Sequence, residues 1–168
     1  HGKHGLDEGE LDFVVTNRKY DSKIYEQKVC DRESLVLVVP KRFPVNDELA
    51  DKALRRSELG NAVFDVPSDK AVDLCAFQEV PFILLSDSNY LRECTNMLFH
   101  ESKCMPSVIS EMEQSSVSYN FAKMGIGATI LSNRLVENDA DNDSVCIYKI
   151  KSEYVTRDTY ISYRKGSY

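Results

Sequence analysis

No apolar stretch in this 168-residue chain is long enough to cross a bilayer. The longest runs, at residues 35–39 and 82–85, fall far short of the ~20 residues a spanning helix needs. No charged start followed by an apolar segment opens the sequence, so no signal peptide is visible. Basic charge is scarce as well: 21 Lys and Arg stand against 27 Asp and Glu, a net charge of -6. That balance argues against a strong nucleic-acid surface on this piece. The five cysteines are odd in number and widely spaced, and no CxxC pair occurs. Disulfide and zinc frameworks use close or paired thiols. Cys30, Cys75, Cys94, Cys104 and Cys146 are therefore expected to be reduced, mostly packing residues of a cytoplasmic protein.

Catalytic signatures are missing too. There is no GxSxG, no HExxH and no glycine-rich phosphate loop, and His100 has no evident nucleophile partner. The expectation is a protein that is not an enzyme, with no cofactor and no bound metal. His1 and His4 fall on an N-terminus expected to be frayed. His100 is expected on the outer face of a helix. Residues 138–144 (NDADNDS) superficially resemble a calcium loop, with Asp139, Asp141 and Asp143 alternating, but the central glycine and terminal glutamate are missing.

What is present fits a globular α/β chain. Hydrophobic residues make up 42% and charged residues 29%, far from a disordered composition. The length suits one large domain or two small lobes. Residues 11–16 (LDFVVT) read as a strand, and residues 18–27 as a polar surface connection. Residues 29–39 end in the apolar run SLVLVV, closed by Pro40. Such a run fits a strand buried on both faces, as in parallel sheets covered by helices. Short helices are expected around Leu49, Ala53 and Leu54 and over residues 71–77. A buried strand follows at residues 81–85 (PFILL). The helix after it carries Leu91, Cys94 and Leu98 on one face and ends near Lys103. Two more strands are expected at residues 145–150 and 159–163. Strands alternate with helices, which predicts an α/β fold with largely parallel sheets.

The most informative stretch is residues 111–131, EMEQSSVSYNFAKMGIGATIL. It reads as a strand end, a polar turn, an amphipathic helix, a glycine stop and a buried strand. Val117, Phe121 and Met124 are spaced to bury that helix, and Gly125 suits its left-handed end. The Gln-Ser-Ser cluster lies where strand gives way to helix. In open α/β sheets small ligands bind there, because unpaired helix N–H groups point beyond the strand ends.

Several of these residues resemble the effector-binding domain of LysR-type transcriptional regulators. Leu6-x-x-Gly9-x-Leu11-Asp12, followed by Phe13-Val14-Val15, looks like that family's L-x-x-G-x-L-D signature. Glu33-x-Leu35-x-Leu37-Val38-Val39-Pro40 resembles its crossover into the second lobe. The family usually continues with His-Pro, where this chain has Arg42-Phe43-Pro44. Pro81-Phe82-Ile83-Leu84 and Met124-Gly125-Ile126-Gly127-Ala128 complete the pattern, with Ser132 in place of a common proline.

The resemblance implies a two-lobed, type II periplasmic-binding-protein-like α/β fold with two crossover strands. Lobe I would comprise residues 1–31 and 145–168 and would be incomplete at its N-terminus. Lobe II would comprise residues 32–144. It also implies sensing of a small-molecule effector, an organic or amino acid, by a homodimer or tetramer. DNA would be reached only through a winged helix-turn-helix domain outside this sequence, and no membrane partner is implied.

By position, Thr16 and Asn17 would serve the ligand from lobe I. Ser86, Asp87 and Ser88 would sit at one helix N-terminus of lobe II, and Gln114, Ser115 and Ser116 at another. Backbone N–H groups and hydroxyls there suit a carboxylate. Asp87 would repel an anion and would select a cationic or hydroxylated effector instead, and Asp31 on the first crossover would act in the same direction. The same residues would also cap helices without any ligand, each contributing about 1 kcal/mol. Two other functions stay open: a solute receptor serving a transporter, and an enzyme on the same scaffold.

Overall fold

The computed structural model describes residues 2–139 and 142–166. Asp141 of the calcium-like loop and His1 lie outside the described residues. The chain divides into two compact units, one of His1–Glu33 with Thr156–Tyr168 and one of Ser34–Val155. It passes between them twice, at residues 33–34 and 155–156. The sequence-based boundaries, 31/32 and 144/145, differ most at the second passage. Strand β6 (Val145–Lys149) stays in the second unit, where its register runs from Val36↔Lys149 to Pro40↔Val145.

In the first unit, helix α1 (Gly2–Glu8) replaces the expected frayed end. Leu6 on this helix is buried, and the Tyr25 hydroxyl donates a hydrogen bond to Asp7. The expected strand at 11–16 shortens to β1 (Val14–Thr16), which pairs antiparallel with β7 (Thr156–Arg164). Strand β2 (Tyr25–Pro40) starts earlier than its apolar run, absorbing the end of the expected surface connection. Its neighbour across the first unit's sheet is β7.

The second unit is built on the apolar half of β2. Leu35 to Val39 are all 0% exposed, and this half lies between β5 (Thr129–Ser132) and β6. Both pairings are antiparallel. The expectation of largely parallel sheets is thus corrected at the central strand. A continuous apolar run reports burial on both faces; it says nothing about the direction of the neighbours. Parallel pairing does occur between β3 (Pro81–Leu85) and β4 (Ser107–Met112). Gly127 and Ala128 bring the chain beside β3, with Ile83 N–H donating to the Ala128 carbonyl at 2.8 Å. A Cβ on Gly127 would stand 2.9 Å from the Pro81 carbonyl oxygen, so only glycine allows this approach.

Aromatic rings fill the layer between strands and helices. Phe82 and Phe99 meet edge to face at 5.2 Å, and Phe77 packs against Tyr148 at 5.5 Å. The buried Tyr148 hydroxyl donates to Asn46 Oδ1 at 2.7 Å. Burial pushes its phenol well above the usual tyrosine range. The remaining helices are α2 (Val45–Glu48), α3 (Tyr90–Ser102), α4 (Ser115–Lys123) and α5 (Asn133–Glu137). The stripe Leu49, Ala53 and Leu54 lies past the end of α2, and the expected helix at 71–77 is a 3₁₀ turn over Leu74–Phe77.

Helix α3 runs as expected, with His100 exposed. Helix α4 does not bury its expected stripe. Ser118, Tyr119 and Ala122 face inward, while Met124 is 71% exposed and Val117 half-exposed. The inward face is polar at one point because Ser118 and Thr129 hydroxyls bond each other at 2.6 Å. That pair makes a buried serine tolerable. Gly125 does end the helix, with φ 83°.

The cysteine expectation is corrected for two of the five. Cys75 and Cys104 form a disulfide with a Cα–Cα distance of 5.6 Å. Their separation of 29 residues hid the pairing from any reading by local spacing. Cys30, Cys94 and Cys146 are free. No helix among the described residues is long and apolar enough to cross a membrane.

Candidate functional site

In the second unit β3 and β4 run parallel and finish in register, Leu85 opposite Met112. Each is followed by a polar turn that leads into a helix. The two turns are tied together: Ser86 N–H donates to the Met112 carbonyl at 2.9 Å, and Ser86 Oγ donates to Glu113 Oε2 at 3.2 Å. Six predicted residues, Ser86, Asp87, Ser88, Gln114, Ser115 and Ser116, therefore gather at one carboxyl edge of a parallel strand pair. Both following helices begin here, so their first N–H groups have no partner within the helix.

The cluster Ser86-Asp87-Ser88-Asn89 is made of helix-capping residue types, and one of its four members takes that role for α3. Asn89 caps α3, its side chain accepting from Leu91 N–H at 2.9 Å. Ser86 and Ser88 bond each other at 3.2 Å instead. Gln114 stands at the cap position of α4, with no hydrogen bond from its side chain to the helix. Ser115 and Ser116 open that helix, the first half-exposed and the second exposed. Polar side chains that do not cap are available to a ligand.

Electrostatics at this edge depend on a residue that no local pattern singles out. Arg92, on the first turn of α3, has a side chain only 12% exposed. Its guanidinium donates to the Leu85 carbonyl at 2.5 Å, to Glu111 at 2.8 Å and to Asn96 at 3.0 Å. Asp87 lies 3.5 Å from it, but is 81% exposed, so the pair is weak. Glu111 and Glu113 are also at this edge. Three carboxylates thus share it with one arginine and the start of α4, which no side chain caps. Such a mixture suits a ligand carrying both an acidic oxygen and a hydroxyl or ammonium group. A lone arginine on a helix looks in sequence like any solvated one; only packing brings Arg92 into its half-buried place between two strands.

In the first unit, Thr16 ends β1 and Asn17 follows it. Thr16 Oγ1 accepts from Arg18 N–H at 3.1 Å. Asn17 donates to the Asp158 carbonyl at 3.2 Å and to Thr159 Oγ1 at 2.8 Å, holding β1 to β7. Both have work within their own unit.

A separate cavity of about 460 Å³ opens in the second unit between Arg42, Phe43, Glu48, Glu79 and Ile126. None of the predicted residues lines it. Arg42 lies over the Phe43 ring at 5.3 Å and donates twice to the Gly125 carbonyl. Among the described residues, no group of three or more His, Cys, Asp and Glu is placed to hold a metal.

The chain matches the LysR substrate binding domain over residues 3–168. No curated protein matches its sequence. Among solved structures, it resembles the effector binding domain of QuiR in complex with shikimate, at 18% identity and TM-score 0.70, covering 99% of this chain and 68% of that one. It also resembles the CcmR regulatory domain of Synechocystis PCC6803 in complex with 2-PG, at 18% identity and TM-score 0.74, covering 99% and 70%. Full-length BenM matches at 15% identity and TM-score 0.69, with 98% of this chain spanning 48% of that protein. At these identities the likeness is one of fold, the two-lobed α/β architecture of type II periplasmic binding proteins. The match over nearly the whole chain shows that it belongs to the LysR substrate-binding-domain family.

Proposed function

We propose that this chain is the effector-sensing part of a LysR-type transcriptional regulator, and that it is not an enzyme. The observation that carries this reading is the family match over residues 3–168. The neighbours whose names record bound shikimate and 2-PG support a small acidic or hydroxylated molecule as effector. The chemistry at the β3–β4 edge supports the same class. Free helix amides, with Ser115 and Ser116, would take a carboxylate; Asp87, Glu111 and Glu113 would take a hydroxyl or ammonium group. Thr16 and Asn17 would contribute from the first unit. DNA would be contacted through a winged helix-turn-helix domain, and paired copies would carry the signal, all within the cytoplasm. Binding can drive the switch only through a difference in effector affinity between two conformations. The transporter-receptor alternative has no support in the family match.

The test is a thermal-shift screen of hydroxylated carboxylic acids, aromatic acids and amino acids, followed by calorimetry on the hits. Ser115→Ala should weaken binding of a hit by about tenfold, the loss of one charge-assisted hydrogen bond. Its melting temperature should barely move, since the Ser115 side chain caps nothing. Unchanged affinity in Ser115→Ala, Ser116→Ala and Gln114→Ala alike would remove this edge from the effector site.

A further inference from the structure

We propose that Cys75 and Cys104 form a reversible thiol–disulfide site that clamps the segment carrying the Ser86–Asn89 turn. The inference does not rest on the effector reading. The two Cα atoms are 5.6 Å apart, inside the range a disulfide spans without moving the backbone. Both cysteines are half-exposed, so a small thiol or disulfide can reach them. The other three cysteines take no part: Cys30, Cys94 and Cys146 are outside any disulfide, and Cys94 is buried.

The surroundings accommodate both redox states. The Ser102 carbonyl oxygen lies 3.0 Å from Cys75 Sγ and 3.4 Å from Cys104 Sγ. Once the S–S bond opens, that oxygen can accept from either S–H. Neither state therefore leaves a polar group stranded.

The pair also sits on a strained turn. Lys103, between Ser102 and Cys104, has φ 56° and is the sole non-glycine residue with positive φ among the described residues. Its N–H donates to the His100 carbonyl at 3.1 Å, and Cys104 N–H donates to that of Phe99 at 3.2 Å. Helices that end this way usually place glycine in the left-handed position. A lysine there costs free energy, and the cross-link beside it holds the turn in place. The loop so closed contains β3, residues 86–89 and all of α3. Opening it frees the end of α3 from the 3₁₀ turn that precedes β3.

The chemistry balances with a low-molecular-weight disulfide such as oxidised glutathione. One cysteine, as thiolate, attacks it, forms a mixed disulfide and releases one glutathione. The second thiolate attacks the protein sulfur of that mixed disulfide and releases the other. Two protons leave the cysteine pair, and its two electrons reduce the reagent to two thiols. Excess thiol runs both steps backwards.

The test equilibrates the chain in buffers of stepped reduced-to-oxidised glutathione ratio, followed by acid quench, alkylation and peptide mass spectrometry. The expected result is a Cys75–Cys104 cross-linked peptide that appears and disappears reversibly, with Cys30, Cys94 and Cys146 never joined to either. Reduction should lower Tm by roughly 10 °C, from loop-closure entropy returned to the unfolded chain. Cys75→Ser/Cys104→Ser, whose hydroxyls can still bond the Ser102 carbonyl, should melt like the reduced chain at every ratio. Alkylation of both cysteines at the most oxidising ratio, a cross-link to another cysteine, or a Tm independent of the ratio would each overturn the proposal.

Discussion

Asn133 shows how much one buried side chain can hold. It is fully buried, accepts from Ser34 N–H at 2.8 Å and donates to the Gly60 carbonyl at 2.8 Å. It thus links the start of α5 to the buried half of β2 and to a turn far away in sequence. Asn133→Ala removes both partners at once and leaves a buried donor and a buried acceptor unpaired. The expected cost is about 2–4 kcal/mol, read as a lower midpoint in urea unfolding. A loss below about 0.5 kcal/mol would mean water replaces the amide. An asparagine after a strand reads as a routine helix start, so this role was not legible from its neighbours. The same blindness hid Arg92, whose partners Leu85 and Glu111 come from two strands.

Elements were legible to different degrees, for physical reasons. Strand β3 was plain from its continuous apolar run, and helix α3 from the spacing of its apolar face. The segment between β2 and β3 was not. It folds into 3₁₀ turns at Arg56–Glu58, Gly60–Asp65, Ser68–Lys70 and Leu74–Phe77, held by contacts rather than by a repeating pattern. One such contact is Glu58, which accepts from Lys70 Nζ at 2.5 Å and from Arg55 N–H at 2.7 Å. The lysine bond first, and the amide bond second, hold its carboxyl below the usual range. A depressed carboxyl stabilises the fold above its unfolded pKa and loses that contribution as pH falls through the folded one. Stability should therefore drop on acidification below the ordinary glutamate range. In Lys70→Met, where the main cause is removed, this acid-side drop should shrink, as followed by chemical denaturation at stepped pH. An identical pH profile in the variant would assign the acid sensitivity to other carboxylates.

At the scale of the whole chain, apolar burial is unevenly shared. The contiguous core comprises residues from Leu35 to Val155, all of them in the second unit. The first unit buries Leu6 and Tyr25, yet exposes Phe13 at 61%, Val15 at 57% and Val29 at 55%. Because burial supplies most of the favourable free energy, the first unit should open more readily. Hydrogen exchange should show amides of β1 and β7 exchanging well before those of β3, β5 and the buried half of β2. Equal protection across both units would refute this ranking. The sequence by itself determined the family and the α/β class, along with the central apolar strand and the polar turns at strand ends. These are written in local order and spacing. Only the tertiary structure decided the antiparallel neighbours of β2, the inward face of α4, the partners of Arg92 and the Cys75–Cys104 bond. Each depends on which distant segments meet, and short-range patterning carries no record of that.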